Sequence, residues 1–268
     1  MGQEVQKSES QVPATAPPPS TQQAVLKSDI VVPKVLCMQG LSKFVMDDKA
    51  KAGQFVRSTD AEVLGGKDKP LEFIPLRFDS LWMNQEEVND EWEFRGYEPR
   101  TASNEQDDWE WINDDGKKMK RTKTMHLYCL LPQDIDKQIQ AIESFKETGE
   151  IDLNDALIPV VISFRNTSFK AAKDVSTLFL KAEELSQELG VPVPVYGRTM
   201  KLTTSMEEND KGKFYVLSVE PSGKTKPEHL AKAKSWLARM NQMTLKVDDS
   251  DEKETEREAE PKGGPTKF

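Results

Sequence analysis

The sequence predicts an α+β protein with one folded core between two disordered tails. Segments typical of strands and of helices follow one another between residues 29 and 246. Residues 1–28 consist mainly of Gln, Ser, Thr, Ala and Pro, and residues 247–268 are mostly charged. Neither end has the apolar periodicity of a folded element, so we expect both to be disordered.

Six segments of the core have the composition or the alternation of β-strands. They are residues 30–36, 71–78, 125–131, 160–164, 195–203 and 213–219. Pro75 lies inside the second segment and cannot donate a ladder hydrogen bond, so we expect an edge position or a β-bulge there. The polar residues 207–212 predict a hairpin loop between the last two strands.

Three helices are predicted from apolar residues at helical spacing. They cover residues 133–146, 168–189 and 225–243. Gly190 is expected to end the second helix, because glycine adopts the left-handed conformation that follows many helices. Thr225 and Glu228 have the spacing of a capping box at the start of the third.

The net charge of −9 is unevenly distributed along the chain. Residues 86–115, an insertion that also contains five aromatic side chains, carry a net charge of −10, and residues 247–268 carry −4. The rest of the chain therefore has a net charge of +5, part of which is the basic run 117–123. This pattern indicates a mildly basic core with an acidic insertion and an acidic tail, or simply a set of solvated surface charges.

The sequence offers little to an enzyme. His126 and Cys129 would lie on opposite faces of a strand, and no further His or Cys stands at metal-ligand spacing. Phosphate loops of the GxxxxGK[ST] type and GxGxxG motifs are absent from the sequence. We therefore expect a binding protein, with no catalytic residue, cofactor, metal or small-molecule substrate.

The chain has no apolar run of membrane-spanning length and no secretory signal at its N-terminus. Its two cysteines cannot form a disulfide framework, which is typical of a reducing compartment. The predicted location is the cytoplasm, without a membrane partner.

Basic and aromatic residues are interleaved on the predicted strands and at their ends. This combination is typical of single-stranded nucleic-acid binding, because cations follow the phosphates and aromatic rings stack on bases. Core packing remains the alternative for every aromatic residue. The candidate interface consists of Phe73, Arg77, Tyr128, Arg165, Phe169, Lys170, Lys173, Tyr196, Arg198, Lys201, Lys213 and Tyr215.

The acidic tail ends in an aromatic residue, Phe268. Such a tail could occupy a basic DNA groove as a mimic of phosphate, or dock Phe268 into the pocket of a partner protein. A purely solubilising tail is the alternative.

Several segments resemble a group of early proteins of tailed phages. They are residues 34–43, 51–58, 62–65, 71–75, 163–170 and 209–215. That group is similar to the single-stranded DNA-binding proteins encoded by phages, and the resemblance covers roughly residues 30–245. It implies an OB-like five-stranded antiparallel barrel with added helices, and a role in phage DNA replication and recombination. Lys262 and Lys267 dilute the acids before Phe268, which departs from the usual tail of that group.

We therefore expect a sequence-independent single-stranded DNA-binding protein located in the host cytoplasm. Its tail would contact replication or transcription proteins. The main alternative is a virion or assembly protein, in which the tails are assembly arms. A third possibility is a recombination enzyme or a nuclease accessory factor.

Overall fold

The computed structural model describes residues 31–105, 109–210, 212–243 and 245–251. The described strands are β1 (Val31–Val32), β2 (Lys34–Cys37), β3 (Phe55–Arg57), β4 (Val63–Gly65), β5 (Leu71–Val88), β6 (Glu91–Pro99), β7 (Glu110–Ile112), β8 (Lys118–Leu130), β9 (Val160–Arg165), β10 (Arg198–Asn209), β11 (Gly212–Lys224) and β12 (Lys246–Val247). The described α-helices are α1 (Lys43–Met46), α2 (Pro132–Thr148), α3 (Phe169–Leu189) and α4 (Pro227–Met240).

Ten of these strands form one curled sheet. Its order is β11-β10-β5-β8-β9-β2-β3-β4, with β6 paired to β5 and β7 paired to β8. The pairs are antiparallel except for β2 and β9, which run parallel. The sheet curls until the β10–β11 hairpin meets the segment between β2 and β3, where the Thr204 hydroxyl donates to the Gly53 carbonyl at 2.8 Å. The result is a half-barrel.

The predicted OB-like five-stranded barrel is wrong. The sheet has ten strands, contains a parallel pair and does not close by strand pairing. The physical reason lies in β5 and β8, which are 18 and 13 residues long and continue far beyond the predicted segments 71–78 and 125–131. Residues 86–115, predicted as an insertion, supply the end of β5 together with β6 and β7, and so extend the sheet.

Pro75 is accommodated by a β-bulge. β5 is a central strand between β10 and β8, so an edge position does not account for this proline. The register with β8 shifts between Pro75 and Arg77, so the pairing of the two strands does not require a backbone N–H donor at Pro75. The bulge that the sequence predicts is therefore confirmed.

The sheet is covered on both faces, and each face has its own core. Helix α3 packs on one face, where Phe73, Leu127 and Phe164 are fully buried. Helices α2 and α4 pack on the other face against Ile74 and Leu130. Alternate residues of β5 and β8 enter opposite cores, as the two-residue period of a strand requires.

The three predicted helices are present in the structure, but the N-terminal cap predicted for one of them is wrong. Helices α2 and α3 fall within two residues of the predicted segments, and Gly190 ends α3 with φ of 65°. The capping box at Thr225 and Glu228 is wrong. Helix α4 begins after Lys226, and no side chain caps its first turn.

The start of the predicted C-terminal tail belongs to the fold. Strand β12 pairs in parallel with β1, and the Asp248 amide donates to the Val32 carbonyl at 2.9 Å. The fully buried Lys34 ammonium forms an ion pair with Asp251 at 2.7 Å. A buried charge needs such a partner, so residues 245–251 act as a strap across β2. The predicted N-terminal tail, residues 1–28, and the rest of the predicted C-terminal tail, residues 252–268, lie outside the described residues.

No helix in the described ranges is long and apolar enough to cross a membrane. Within the same residues, His, Cys, Asp and Glu side chains form no group of three or more that could hold a metal ion.

The α3-side core should depend strongly on Phe164. We expect Phe164→Ala to lower the free energy of unfolding by about 3–5 kcal/mol, because it leaves a cavity in a fully buried site. Phe145→Ala is the matched control, since Phe145 is 46% exposed on α2 and should cost less than about 1 kcal/mol. Urea denaturation measures both, and equal losses would contradict the assignment of the core.

Candidate nucleic-acid interface

Strand β11 brings two of the predicted groups of residues onto one side of the molecule. It packs against the first turns of α3 and against the 3₁₀ turn Asn166–Ser168 that precedes them. The predicted residues Phe169, Lys170 and Lys173 begin α3, whereas Lys213 and Tyr215 lie on β11. We call these five residues the β11–α3 surface.

Tyr215 is held in place by the segment that connects β2 with β3. Its amide donates to Gln39 Oε1 at 2.8 Å, and Gln39 Nε2 donates back to its carbonyl at 3.1 Å. Its ring lies over Gly53, which has φ of 84°. The ring is therefore half-buried and fixed in orientation, which is the condition for a stacking platform that loses little entropy on binding.

The neighbouring Phe169 ring is also half-buried. The Arg100 guanidinium lies 5.6 Å from its centroid and pairs with Glu105 at 3.1 Å. Arg165 points elsewhere, because its Nη1 donates to Met83 Sδ at 3.4 Å. Arg165 therefore adjoins the surface in sequence, but its side chain is engaged with β5.

The three predicted residues nearest the centre of the sheet are not free to contact a base. Phe73 is completely buried in the α3-side core, and Tyr128 is 3% exposed in the other core. Burial raises the pKa of Tyr128 to about 12. The Arg77 guanidinium covers the Tyr128 ring at 4.7 Å and pairs with Asp79 at 3.2 Å. The contacts of these three side chains within the protein itself account for their positions, without a role in binding a base.

The remaining predicted residues lie at the other end of the β10–β11 hairpin. Arg198 lies opposite Lys224 on the neighbouring strand. The residue of β10 opposite Lys213 is ten positions further along, so the two pairs are roughly 33 Å apart along the strand. Tyr196 packs against the core under α4, and Lys201 forms an ion pair with Glu220 at 3.4 Å. The predicted interface is thus divided between two distant places.

Sequence reasoning missed how the acidic insertion and the basic run combine. Strands β6, β7 and the outer halves of β5 and β8 form a four-stranded extension, which we call the arm. Cations of β8 lie over indole rings there, with Lys120 at 4.6 Å from Trp92 and Arg121 at 4.7 Å from Trp82. Periodicity offered no signal for this, because Met119 is the only apolar residue in 118–124.

Many charged side chains of the arm are paired with one another. Hydrogen bonds from Arg95 and Lys117 lower the pKa of Glu86, and a hydrogen bond to Glu87 raises the pKa of Lys118. Lys123 similarly lowers the pKa of Glu105 by donating to it. Because acids outnumber bases along the arm, it has no surplus of positive charge to attract phosphate.

Comparison with known families makes this a bacteriophage protein. Residues 18–246 match the model of the Pam3 phage gp34-like protein family, and the chain belongs to that family. The matched range includes the whole sheet and ends just before the strap residues that contact Lys34. No curated protein and no solved structure matches the chain.

The packing of the Tyr215 ring on Gly53 can be tested by replacing this glycine with alanine, which adds one methyl group. A Cβ at Gly53 would stand 2.5 Å from Tyr215 Cε1, and the positive φ is also unfavourable for alanine. We expect Gly53→Ala to lower the free energy of unfolding by more than about 1 kcal/mol in urea. Gly40→Ala is the control, because no atom lies within 4 Å of its added Cβ. Equal stability of the two variants would show that Tyr215 is not docked on Gly53.

Proposed function

We propose that this phage protein binds single-stranded DNA without sequence preference and supports phage DNA replication and recombination. The observation that supports this proposal most directly is the composition of the β11–α3 surface. There, Lys170, Lys173 and Lys213 are exposed and make no ion pair within the described part of the chain, and they accompany the half-buried rings of Phe169 and Tyr215. Cations for phosphates and rings for bases are the two requirements of this kind of binding.

The position of two of these lysines supports an anionic ligand. Lys170 and Lys173 lie in the first turns of the 21-residue helix α3, which contains no acidic residue in its first turn. A cation near a helix N-terminus faces the positive end of the helix dipole, which is unfavourable in the free protein. A bound phosphate would be stabilised by both the lysines and the dipole, so binding would remove this repulsion.

A second candidate function, a virion or assembly protein, rests on the arm. Trp109, just before β7, is 55% exposed and Ile112, the last residue of β7, is 69% exposed, while several of the arm's charges are paired internally. Exposed apolar side chains on a surface without surplus positive charge favour contact with protein rather than with DNA.

Oligonucleotide binding separates the two candidates. We expect the parent protein to bind oligothymidine with a salt-dependent affinity, followed by tryptophan fluorescence. The Lys170→Ala, Lys173→Ala, Lys213→Ala triple variant should lose about 0.7 of the salt slope per lost phosphate contact, or about 2 in all.

The matched control is Lys146→Ala, Lys181→Ala, Lys234→Ala, which removes the same charge from exposed sites on helices α2, α3 and α4. A parent that binds no oligothymidine at low salt would refute the proposal. So would an equal loss in both triple variants, because it would reflect overall charge rather than a site.

The structure changes the effect that we expect the C-terminal tail to have on DNA binding. Asp248, Asp249 and Asp251 belong to the described strap, so residues 252–268 retain a net charge of only −1. A chain that ends at residue 251 should therefore bind oligothymidine within about twofold of the parent across a salt series, since little competing charge is removed. A large, salt-sensitive gain in affinity would show instead that residues 252–268 compete with DNA. Phe268 lies outside the described residues, and its docking into a partner stays a prediction, in which Phe268→Ala leaves DNA affinity unchanged.

A further inference from the structure

A cleft of about 520 Å³ opens where α2 and α4 begin, beside the base of the β10–β11 hairpin. Its volume lies within the range of about 300–1,000 Å³ that is usual for small-ligand sites. The cleft is on the α2–α4 face of the sheet, at the opposite end of the hairpin from Lys213 and Tyr215. It is therefore distinct from the β11–α3 surface.

Three lysines from different elements line this cleft. Lys69 comes from the turn before β5, Lys224 ends β11, and Lys226 immediately precedes α4. All three are exposed, and none makes an ion pair within the described ranges. The lining also contains two carboxylates, and each is already engaged. Glu72 accepts a hydrogen bond from Ser222, and Asp136 is bonded to His229 Nε2 at 2.7 Å.

A repulsive cross-strand pair adds to the positive charge beside the cleft. Arg198 stands directly opposite Lys224 in the β10–β11 register. Like charges at opposite positions of an antiparallel pair are destabilising, and no acidic residue of the hairpin separates these two. An anion bound at Lys224 would offset this repulsion, so the pair is an independent sign of an anionic ligand.

The backbone contributes in the same direction. Helices α2 and α4 both begin with proline, and neither has a side chain that caps its first turn. Proline has no amide hydrogen, and the Asp134 and Leu230 amides already donate to the Leu131 and Lys226 carbonyls. The contribution of the two helices is therefore the positive end of each helix dipole, which lies at the side of the cleft. His229 is 2% exposed, and its bond to Asp136 joins α4 to α2 and fixes the distance between the two helices.

We infer that this cleft binds a phosphate group. The ligand could be a phosphomonoester, as in a nucleotide or at a 5′ end, or a phosphodiester of a single-stranded backbone. In both cases Lys224 and Lys226 hold the phosphate oxygens, and Lys69 closes the site from the β5 side. The phosphodiester case rests on the proposed function, whereas the phosphomonoester case does not.

Calorimetric titration of the full chain tests the site with three probes. These are thymidine 5′-monophosphate, oligothymidine with a 5′-phosphate and oligothymidine without one. We expect the Lys224→Ala, Lys226→Ala variant to weaken at least one of them by at least about tenfold, since each lysine loses a charge-assisted contact. The control is Lys67→Ala, Lys234→Ala, which removes two exposed lysines that do not line the cleft and should bind like the parent.

The pattern of losses identifies the source of the phosphate. A loss confined to the monophosphate and the 5′-phosphorylated oligonucleotide indicates a phosphomonoester, and an equal loss for both oligonucleotides indicates the backbone. The inference is overturned if the parent binds no probe, or if the cleft variant binds all three like the parent. Lys69→Ala, on a different element, provides a second test if the double variant does not fold.

Failure of this site is distinguishable from failure of the proposed function. The Lys170→Ala, Lys173→Ala, Lys213→Ala variant leaves the cleft intact and should retain binding of the monophosphate. If it loses oligothymidine while the cleft variant binds every probe normally, the proposed function stands and the cleft site does not. The reverse result would support the cleft site and would refute the β11–α3 surface as a DNA-binding site.

Discussion

The pairing of β5 with β8 is the interaction on which the rest of the molecule depends. The two strands stay in register from Ile74 opposite Leu130 to Glu86 opposite Met119, interrupted by the bulge between Pro75 and Arg77. Their inner halves supply both cores and their outer halves form the centre of the arm. A slip of one residue would exchange the two faces, so side chains that fit the α3-side core would face α2 and α4 instead.

This shared pair also explains why the two positive regions are separate. Each face of the sheet is covered by different helices, so the lysines in the first two turns of α3 lie on one face while α2 and α4 begin on the other. The β10–β11 hairpin extends from one region to the other, since β11 contacts α3 and ends at Lys224 beside the cleft. The two proposed binding regions lie on opposite faces, so they would accept either different ligands or one long ligand that follows the hairpin.

Local patterns predicted the helices well and the sheet poorly. Helices α2 and α3 were recognisable because apolar spacing and Gly190 are local signals. Residues 84–87 near the end of β5 are polar on both sides of the strand. Their pairing with β6 and β8 depends on partners distant in sequence, which periodicity does not show. The same limit applies to the interface. Phe73 and Tyr215 look alike in the sequence, and only the packed structure shows one buried and the other seated at the surface.

The charge pattern shows the same difference between sequence and structure. The surplus of +5 outside the acidic segments equals the charge of the run 117–123, and the arm pairs cations of that run with its own acids. Without the arm and the tail the remaining chain is neutral in sum, so no overall field draws DNA to it. The DNA binding proposed here would therefore depend on local groups of lysines. The two regions lie roughly 33 Å apart along the hairpin, several times the Debye length of about 8 Å at physiological salt. Each of the two proposed sites would therefore have to hold a phosphate by its own contacts, without help from the other.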